Sequence, residues 1–257
     1  MEEDKYQFQK KSLYLNFLIL RDELQTLDSV LSQQMGEAKD LLTKFRATRS
    51  VFLILNNVKE AADRMQLKAS HDFIKKTRHL KKRLVFANHF RNRGIGHLDG
   101  TLLNRAVQWS PQIFYESAKE NELFRLVESH RAIIESCINS FIDADGNQKV
   151  FGTEIDLMYP PDAEQFYSYL SDVVTEAISW LSDAATITFE KIDHHTDEEI
   201  QELAAIAGQT DFNLKVNAEY SYSIEEHREV LSNTIRELEE HGADPQTIEF
   251  IRSKFEI

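Results

Sequence analysis

The chain contains very few residues that stop a helix, and this scarcity constrains its fold more than any other feature. Only 8 glycines and 4 prolines occur in 257 residues, without a regular series of alternating strands. Apolar residues recur at helical spacing over 6–34, 38–65 and 162–193, the last stretch capped by Asp162. The sequence therefore predicts an all-α protein, a helical bundle of four to five long helices.

Start and stop signals predict the remaining elements. A third helix runs over 70–93, with Ser70 as its N-cap and glycines after its end. A short irregular stretch follows, and Ser110 and Pro111 then mark the start of a further helix that continues or restarts over 121–141. Only 143–161 combines glycine, proline and β-forming residues, so we expect at most a small β-hairpin there.

Charge is unevenly distributed along this acidic chain, whose net charge is −13. Residues 71–97 hold eight Lys or Arg and one acid, a net of +7, whereas residues 196–257 carry −10. The acidic segment holds shorter predicted helices over 197–207, 223–241 and 244–255. We therefore predict two parts, a bundle over 1–195 and an acidic helical extension over 196–257. The basic island either meets a polyanion or is a solvated face that pairs with acids of the same chain.

The sequence also bears on the compartment and on common enzyme classes. The single cysteine, Cys137, cannot form an internal disulfide and lies on an apolar face, which predicts a core thiol. No signal peptide precedes the first helix, and no apolar run approaches the roughly 18 residues of a membrane span, so we expect a cytoplasmic protein. The absence of a phosphate-binding loop, a dinucleotide fingerprint and a Gly-x-Ser-x-Gly elbow removes the usual support for kinases, dehydrogenases and hydrolases.

The third predicted helix separates a buried seam from a basic face. The seam consists of Phe73, Leu80, Leu84 and Ala87, and Arg91 continues it. The basic face consists of Lys75, Arg78, His79, Lys82, His89 and Arg93. Arg91 therefore occupies a position where an apolar residue is expected. Either its stem packs while its guanidinium reaches solvent or a neighbouring acid, or it serves a site.

A short motif begins at this arginine. Arg91 is followed directly by Asn92 and, six positions after the arginine, by His97. Two glycines between them allow the backbone to turn, so that the arginine and histidine side chains can converge. This run resembles the Arg-x(4–6)-His motif of the HEPN superfamily, small all-α proteins in which a polar residue, often asparagine, follows the arginine. The detailed resemblance covers residues 80–100, and the layout is most similar to abortive-infection and toxin-type members.

The resemblance implies a metal-independent endoribonuclease without a cofactor, acting as a toxin or in phage defence. It implies that His97 exchanges a proton with the ribose 2′-hydroxyl or the leaving oxygen, and that Arg91 stabilises charge on the phosphorane. It gives Asn92 the role of orienting the pair or the phosphate. The basic residues expected to bind the RNA backbone are Lys75, Arg78, Lys82 and Arg93.

The family also implies partners. Its motif commonly lies between two protomers, so we expect a homodimer that binds RNA rather than DNA, with an antitoxin or regulatory protein as a further partner. The alternative is a non-catalytic helical adaptor, or a nucleotide- or RNA-binding protein. In that case the acidic C-terminal helices bind a protein partner, and Arg91 and His97 only close the bundle.

Three weaker signals have alternative interpretations. Residues 143–154 follow the ligand spacing of a calcium loop, but Gln148 replaces the required glycine, and an Asp-Gly turn explains the same residues. The aspartates and histidines of 193–197 either gather around a metal or form a solvated helix end. Trp109 and Tyr115 near the motif either stack on a base or pack against helices.

Overall fold

A computed structural model describes residues 2–34, 36–65 and 69–208, with scattered positions beyond them (210, 212, 235–236, 239, 244–246, 248–249 and 252). The all-α prediction is confirmed. The α-helices are α1 (Glu2–Leu31), α2 (Ala38–Arg64), α3 (His71–Arg83), α4 (Val85–Phe90), α5 (Gly100–Trp109), α6 (Glu122–Asn139), α7 (Pro160–Phe189) and α8 (Asp197–Ala207). Apart from those scattered positions, the helices predicted over 223–241 and 244–255 lie outside the described residues.

The chain divides into two compact units. One unit is Ser12–Glu190, and the other combines Met1–Lys11 with Lys191–Ile257. The sequence predicts a boundary after residue 195, whereas the division by contacts falls after Glu190. The first eleven residues belong to the same unit as the C-terminal segment. No helix in the described ranges is long and apolar enough to cross a bilayer.

Aromatic side chains join the helices of the larger unit in one core. Phe52 on α2 stacks on Phe90 of α4, with ring centroids 3.9 Å apart and planes 6° from parallel. Trp180 on α7 lies 5.6 Å from Phe17 of α1 and 5.8 Å from Phe73 of α3, centroid to centroid. All five rings are buried, and rings of this size dominate the energetics of a core. The chain that follows Phe90 therefore starts from a firmly anchored helix.

The third predicted helix is three consecutive helical segments. Ser70 caps α3 as expected, because its Oγ accepts a hydrogen bond from the N–H of Phe73 at 3.2 Å. A one-residue interruption at Leu84 separates α3 from α4, although the backbone there stays in the right-handed helical region. A π-helical turn, Arg91–Ile95, then continues from α4. The motif thus begins on a different kind of helix from the one predicted.

The structure differs from the predicted helix starts in three places. The stretch expected to be irregular forms α5, because the Asp99 carboxylate caps it by accepting from the N–H of Leu102 at 3.0 Å. The helix predicted from Ser110 is two 3₁₀ turns, Pro111–Phe114 and Glu116–Ala118. The prediction of Asp162 as an N-cap is wrong. Helix α7 begins two residues earlier, and this carboxylate accepts from the N–H of Asp156.

The loop between α6 and α7 has the Asp-Gly turn rather than a hairpin. Its β-structure among the described residues is one isolated bridge between Ile142 and Gln148. Asp143 Oδ1 accepts from the backbone N–H groups of Asp145 and Asn147, both at 2.9 Å, and Gly146 has a φ of 85°. Throughout the described ranges, which include 193–197, no three His, Cys, Asp or Glu side chains are grouped to hold a metal ion.

Candidate functional site

The motif lies on the π-turn, Arg91–Ile95. The N–H of Gly96 donates to the carbonyl oxygen of Arg91 at 2.9 Å, five residues earlier, and the N–H of Asp99 donates to that of Arg93 at 3.0 Å. These bonds enclose more residues than the turns of an α-helix. π-turns of this kind are rare, and they occur frequently at functional sites.

Gly94 and Gly96 were expected to allow the backbone to turn, but their role in the structure is different. Neither has a positive φ, and Gly96 has ordinary helical angles, so conformational freedom is not what they supply. Gly94 is buried, and a Cβ on it would collide with the Sγ of Cys137 on α6. Arg49 of α2 donates from Nη2 to the Gly94 carbonyl oxygen at 2.9 Å. Close packing at Gly94 therefore holds the π-turn against α2 and α6.

Arg91 and Asn92 are exposed and bonded to each other. Arg91 Nη1 donates to the Oδ1 of Asn92 at 3.1 Å, and Asn92 Nδ2 lies 3.4 Å from the Oδ1 of Asn88. Over the described parts of the chain, no acid lies within 4 Å of the Arg91 guanidinium. The ion pair that would have explained this arginine structurally is therefore not formed there, and its charge is available to an anion.

An open pocket of about 440 Å³ adjoins this arginine. Three motif residues line it: Asn92, Arg93 and His97. The other lining residues are Val85, Asn88, His89, Asp99 and Phe141. Arg91 does not line the pocket. Its guanidinium is hydrogen-bonded to Asn92, which does line it. The structure thus brings Asn92 and His97 into one pocket and leaves Arg91 beside it.

Arg93 differs from the other cations expected to bind RNA. Its Nη1 donates to the Oδ2 of Asp99 at 2.9 Å, inside the pocket. The backbone N–H of Leu102 and the Arg93 guanidinium hold the pKa of Asp99 below its usual value. This pair balances its own charge, so Arg93 is held in place rather than available to a phosphate.

The cations of α3 fall into two groups. Three pair with acids of neighbouring helices: Lys76 with Asp183, Lys81 with Asp63 and Arg83 with Glu176. Lys75, Arg78 and Lys82 are exposed, and no acid of the described segments lies within 4 Å of them. The first three cations therefore fit the interpretation that the basic island pairs with acids of the same chain. Lys75, Arg78 and Lys82 remain available to a polyanion.

The unpaired cations form a row that leads toward the pocket. Lys75, Arg78 and Lys82 follow one another at spacings of three and four residues, which places them on one side of α3. Val85 and His89 continue the same spacing on α4, and both line the pocket. The row of cations is therefore continued along the helix by two residues that line the pocket.

Sequence reasoning missed a buried charged network on α6. Arg131 donates to the Oε2 of Glu128 at 2.6 Å and to both carboxylate oxygens of Glu135 at 2.6 and 2.8 Å. Trp109 Nε1 donates to Glu135 at 2.6 Å, so the indole N–H has a partner inside the protein, although 39% of the residue is exposed. Burial raises the pKa of Glu135, and its four hydrogen bonds oppose that rise. The signal was present as charged residues at spacings of three and four within an apolar helix.

The cysteine and the remaining aromatic residue are also placed. Cys137 is fully buried, and burial raises the pKa of its thiol to about 12, which confirms the core-thiol prediction. Tyr115 was expected either to stack on a base or to pack against helices, and it is 66% exposed. The cysteine therefore belongs to the support of the π-turn rather than to its chemistry.

Comparisons with known proteins return no match for this chain among protein-family models, curated proteins or solved structures. The HEPN resemblance therefore rests on the motif and its surroundings.

Proposed function

We propose that the protein is a metal-independent endoribonuclease of the HEPN type, acting at the pocket beside the π-turn. The observation that carries this proposal is the exposed Arg91, bonded to Asn92, next to a pocket lined by His97. A guanidinium without an acid partner is available to a phosphate group, and an exposed imidazole is available to exchange a proton with a substrate.

Each residue of the motif has a role in this chemistry. Arg91 stabilises the negative charge that develops on the phosphorane, and Asn92 orients the guanidinium through their hydrogen bond. His97 transfers a proton at the reacting oxygens. The row of Lys75, Arg78 and Lys82 binds the phosphates of the flanking RNA strand.

The biological setting in this proposal rests on the resemblance alone. A toxin or phage-defence role, a homodimer in which two copies of the motif face each other, and an antitoxin or regulatory partner are expected from abortive-infection and toxin-type members. A cytoplasmic location is part of the same expectation.

Cleavage of mixed cellular RNA in EDTA tests the proposal. We expect the wild-type protein to leave 2′,3′-cyclic phosphate and 5′-hydroxyl ends. His97→Ala should lower the rate by about 10²–10⁴-fold. Arg91→Ala should lower it by about 10²–10³-fold, as expected for losing one group that stabilises developing charge.

The matched controls are His71→Ala and Arg64→Ala, exposed residues of the same types outside the pocket. Both should cleave RNA like the wild type, and circular dichroism should show all four variants folded. A folded wild-type protein that cleaves no RNA would contradict the nuclease and favour the adaptor or binding protein.

A further inference from the structure

The pocket contains a second histidine that the motif does not include. His89 lies on α4, two residues before Arg91, and lines the same pocket as His97 and Asn92. It is half-buried, whereas His97 is exposed. Pairs of titratable groups in different environments of one pocket are what acid and base assignments require.

The hydrogen bonds around His89 favour one of its two neutral tautomers. Its Nε2 lies 3.1 Å from the Oγ of Ser140. The Ser140 hydroxyl in turn donates its only hydrogen to the carbonyl oxygen of Cys137 at 3.3 Å. Ser140 Oγ is then left as an acceptor toward the ring, which favours the tautomer with the proton on Nε2 and the lone pair on Nδ1.

The surroundings of His89 favour its neutral form. Burial lowers its pKa, the positive charges of Arg93 and Lys149 act in the same direction, and a hydrogen bond to the Cys137 carbonyl opposes them. The ring also packs on Phe141, with centroids 5.0 Å apart. Besides Arg93, the pocket presents His97 and the Asp99 carboxylate, and that carboxylate is already paired with Arg93. A neutral imidazole with a lone pair is equipped to accept a proton.

We propose that His89 is the general base of the RNA cleavage and that His97 is its general acid. This inference rests on the proposed function. His89 Nδ1 takes the proton of the ribose 2′-hydroxyl while the 2′ oxygen bonds to phosphorus. The bond between phosphorus and the 5′ oxygen breaks, and protonated His97 gives its proton to that oxygen. The products are a 2′,3′-cyclic phosphate and a 5′-hydroxyl, and proton exchange with water restores both histidines.

Two versions of one RNA oligonucleotide distinguish the base from the acid. One has an ordinary linkage, and the other has sulfur in place of the 5′ bridging oxygen. On the ordinary RNA, His89→Gln and His97→Gln should each lower the rate by about 10²–10⁴-fold. A sulfur leaving group needs no proton, so His97→Gln should recover close to the wild-type rate on the second RNA. His89→Gln should not, because the 2′-hydroxyl still needs a base.

The pH profile provides a readout that loss of structure does not imitate. The acidic limb of kcat/KM reports the free base, so it should be absent in His89→Gln and present in the control His71→Gln. In the unmodified protein, the midpoint of that limb should equal the pKa of His89 measured by NMR. This second measurement needs no variant to fold.

The outcomes separate the two proposals. Wild-type cleavage with an unchanged rate and pH profile in His89→Gln would overturn the role of His89 and leave the nuclease standing. Recovery of His89→Gln on the sulfur-bridged RNA, or an acidic limb away from the NMR pKa, would also overturn it. Absence of any cleavage by the wild-type protein would overturn both proposals together.

Discussion

At Gly94, the lack of a side chain sets how closely the π-turn approaches α6. The neighbouring atom is the sulfur of Cys137, and Ile133 and Leu102 lie just beyond it. The backbone at Gly94 is not in the left-handed region, so an added methyl group meets steric contact rather than a forbidden conformation. The cost of a substitution there therefore measures packing alone.

Gly94→Ala should lower the free energy of unfolding by about 1–3 kcal/mol, because it overpacks a filled site. Urea denaturation measures this change. The matched control is Gly100→Ala, since nothing lies within 4 Å of the position of a Cβ at Gly100 in α5. The control should be as stable as the wild type or slightly more stable. A Gly94→Ala protein with an unchanged denaturation midpoint would contradict the close contact.

Residue chemistry was predictable only where neighbours in sequence supply it. The seven-residue run singled out Arg91, Asn92 and His97 as candidate site residues, but it left open whether the Arg91 guanidinium is exposed or paired with an acid. The pairing of Arg93 with Asp99, six residues apart, requires the π-turn, and the contact of His89 with Ser140 joins residues 51 positions apart. No pattern of residue types contains that information.

At the scale of elements, the lysines and arginines of α3 fall into a paired and an unpaired group. The cations on the side facing α7 and α2 pair with acids of those helices, whereas the row of Lys75, Arg78 and Lys82 remains unpaired within the described ranges. Ions already paired in the free protein contribute little new counterion release on RNA binding. Replacing the two groups should therefore have different effects on the salt dependence of RNA affinity.

Replacing Lys75, Arg78 and Lys82 together by alanine should reduce the slope of log affinity against log salt for single-stranded RNA. About 0.7 is lost per phosphate contact, so the expected reduction is about 2. Fluorescence anisotropy between low and moderate salt measures it. The control replaces Lys76 and Lys81, which are paired with Asp183 and Asp63, and should change the slope much less. Equal changes in both proteins would refute the division of the helix face.

Helix α6 carries three of its charges, Glu128, Arg131 and Glu135, inside the core. Arg131 is 3% exposed and Glu135 is fully buried, and the network ties α5 and the loop before α7 to α6. Such a network contributes little net stability when complete, but breaking it leaves an uncompensated buried charge.

Arg131→Met should therefore lower the free energy of unfolding by about 3–5 kcal/mol. Chemical denaturation followed by circular dichroism measures the loss. The comparison protein combines Arg131→Met with Glu128→Gln and Glu135→Gln, which keeps acceptors for the Trp109 indole and for Leu157. It should lose less than the single variant, and a larger loss would show that the charges themselves stabilise the fold.

The elements of the fold were predictable to the extent that apolar periodicity determines them. The all-α class and the long helices α1, α2 and α7 follow from stripes that each bury against neighbours. Helix α5 escaped prediction because its start depends on the Asp99 cap within a glycine-rich segment. The π-turn has no sequence signal of its own, since it arises from packing at Gly94 between α2 and α6.

For the whole molecule, two half-buried histidines link stability to pH. Burial lowers the pKa of His130, with Arg49 and Arg46 acting in the same direction, and burial also lowers the pKa of His89. Below about pH 6.5 the unfolded chain binds protons at both positions before the folded chain does. Unfolding then takes up protons, so the contribution of these histidines to stability is complete above this pH and is lost as the pH falls.

The free energy of unfolding should therefore fall between pH 7 and pH 5. Each proton taken up contributes a slope of at most about 1.4 kcal/mol per pH unit. Urea denaturation at several pH values measures it for the wild type and for His89→Gln combined with His130→Gln. The double variant should have a flatter curve, and the difference isolates the two histidines because the carboxylates are common to both proteins. Parallel curves would contradict the effect of burial.

The close packing of Cys137 against Gly94 also makes the rate of thiol labelling a measure of local opening. The sequence has no other thiol, and this one is sealed beneath the π-turn. Because the thiol is fully buried, a thiol-reactive dye added to the native protein labels it only when the packing around Cys137 opens. The labelling rate therefore measures how often this packing opens, and RNA or a partner protein that slows labelling acts on that opening.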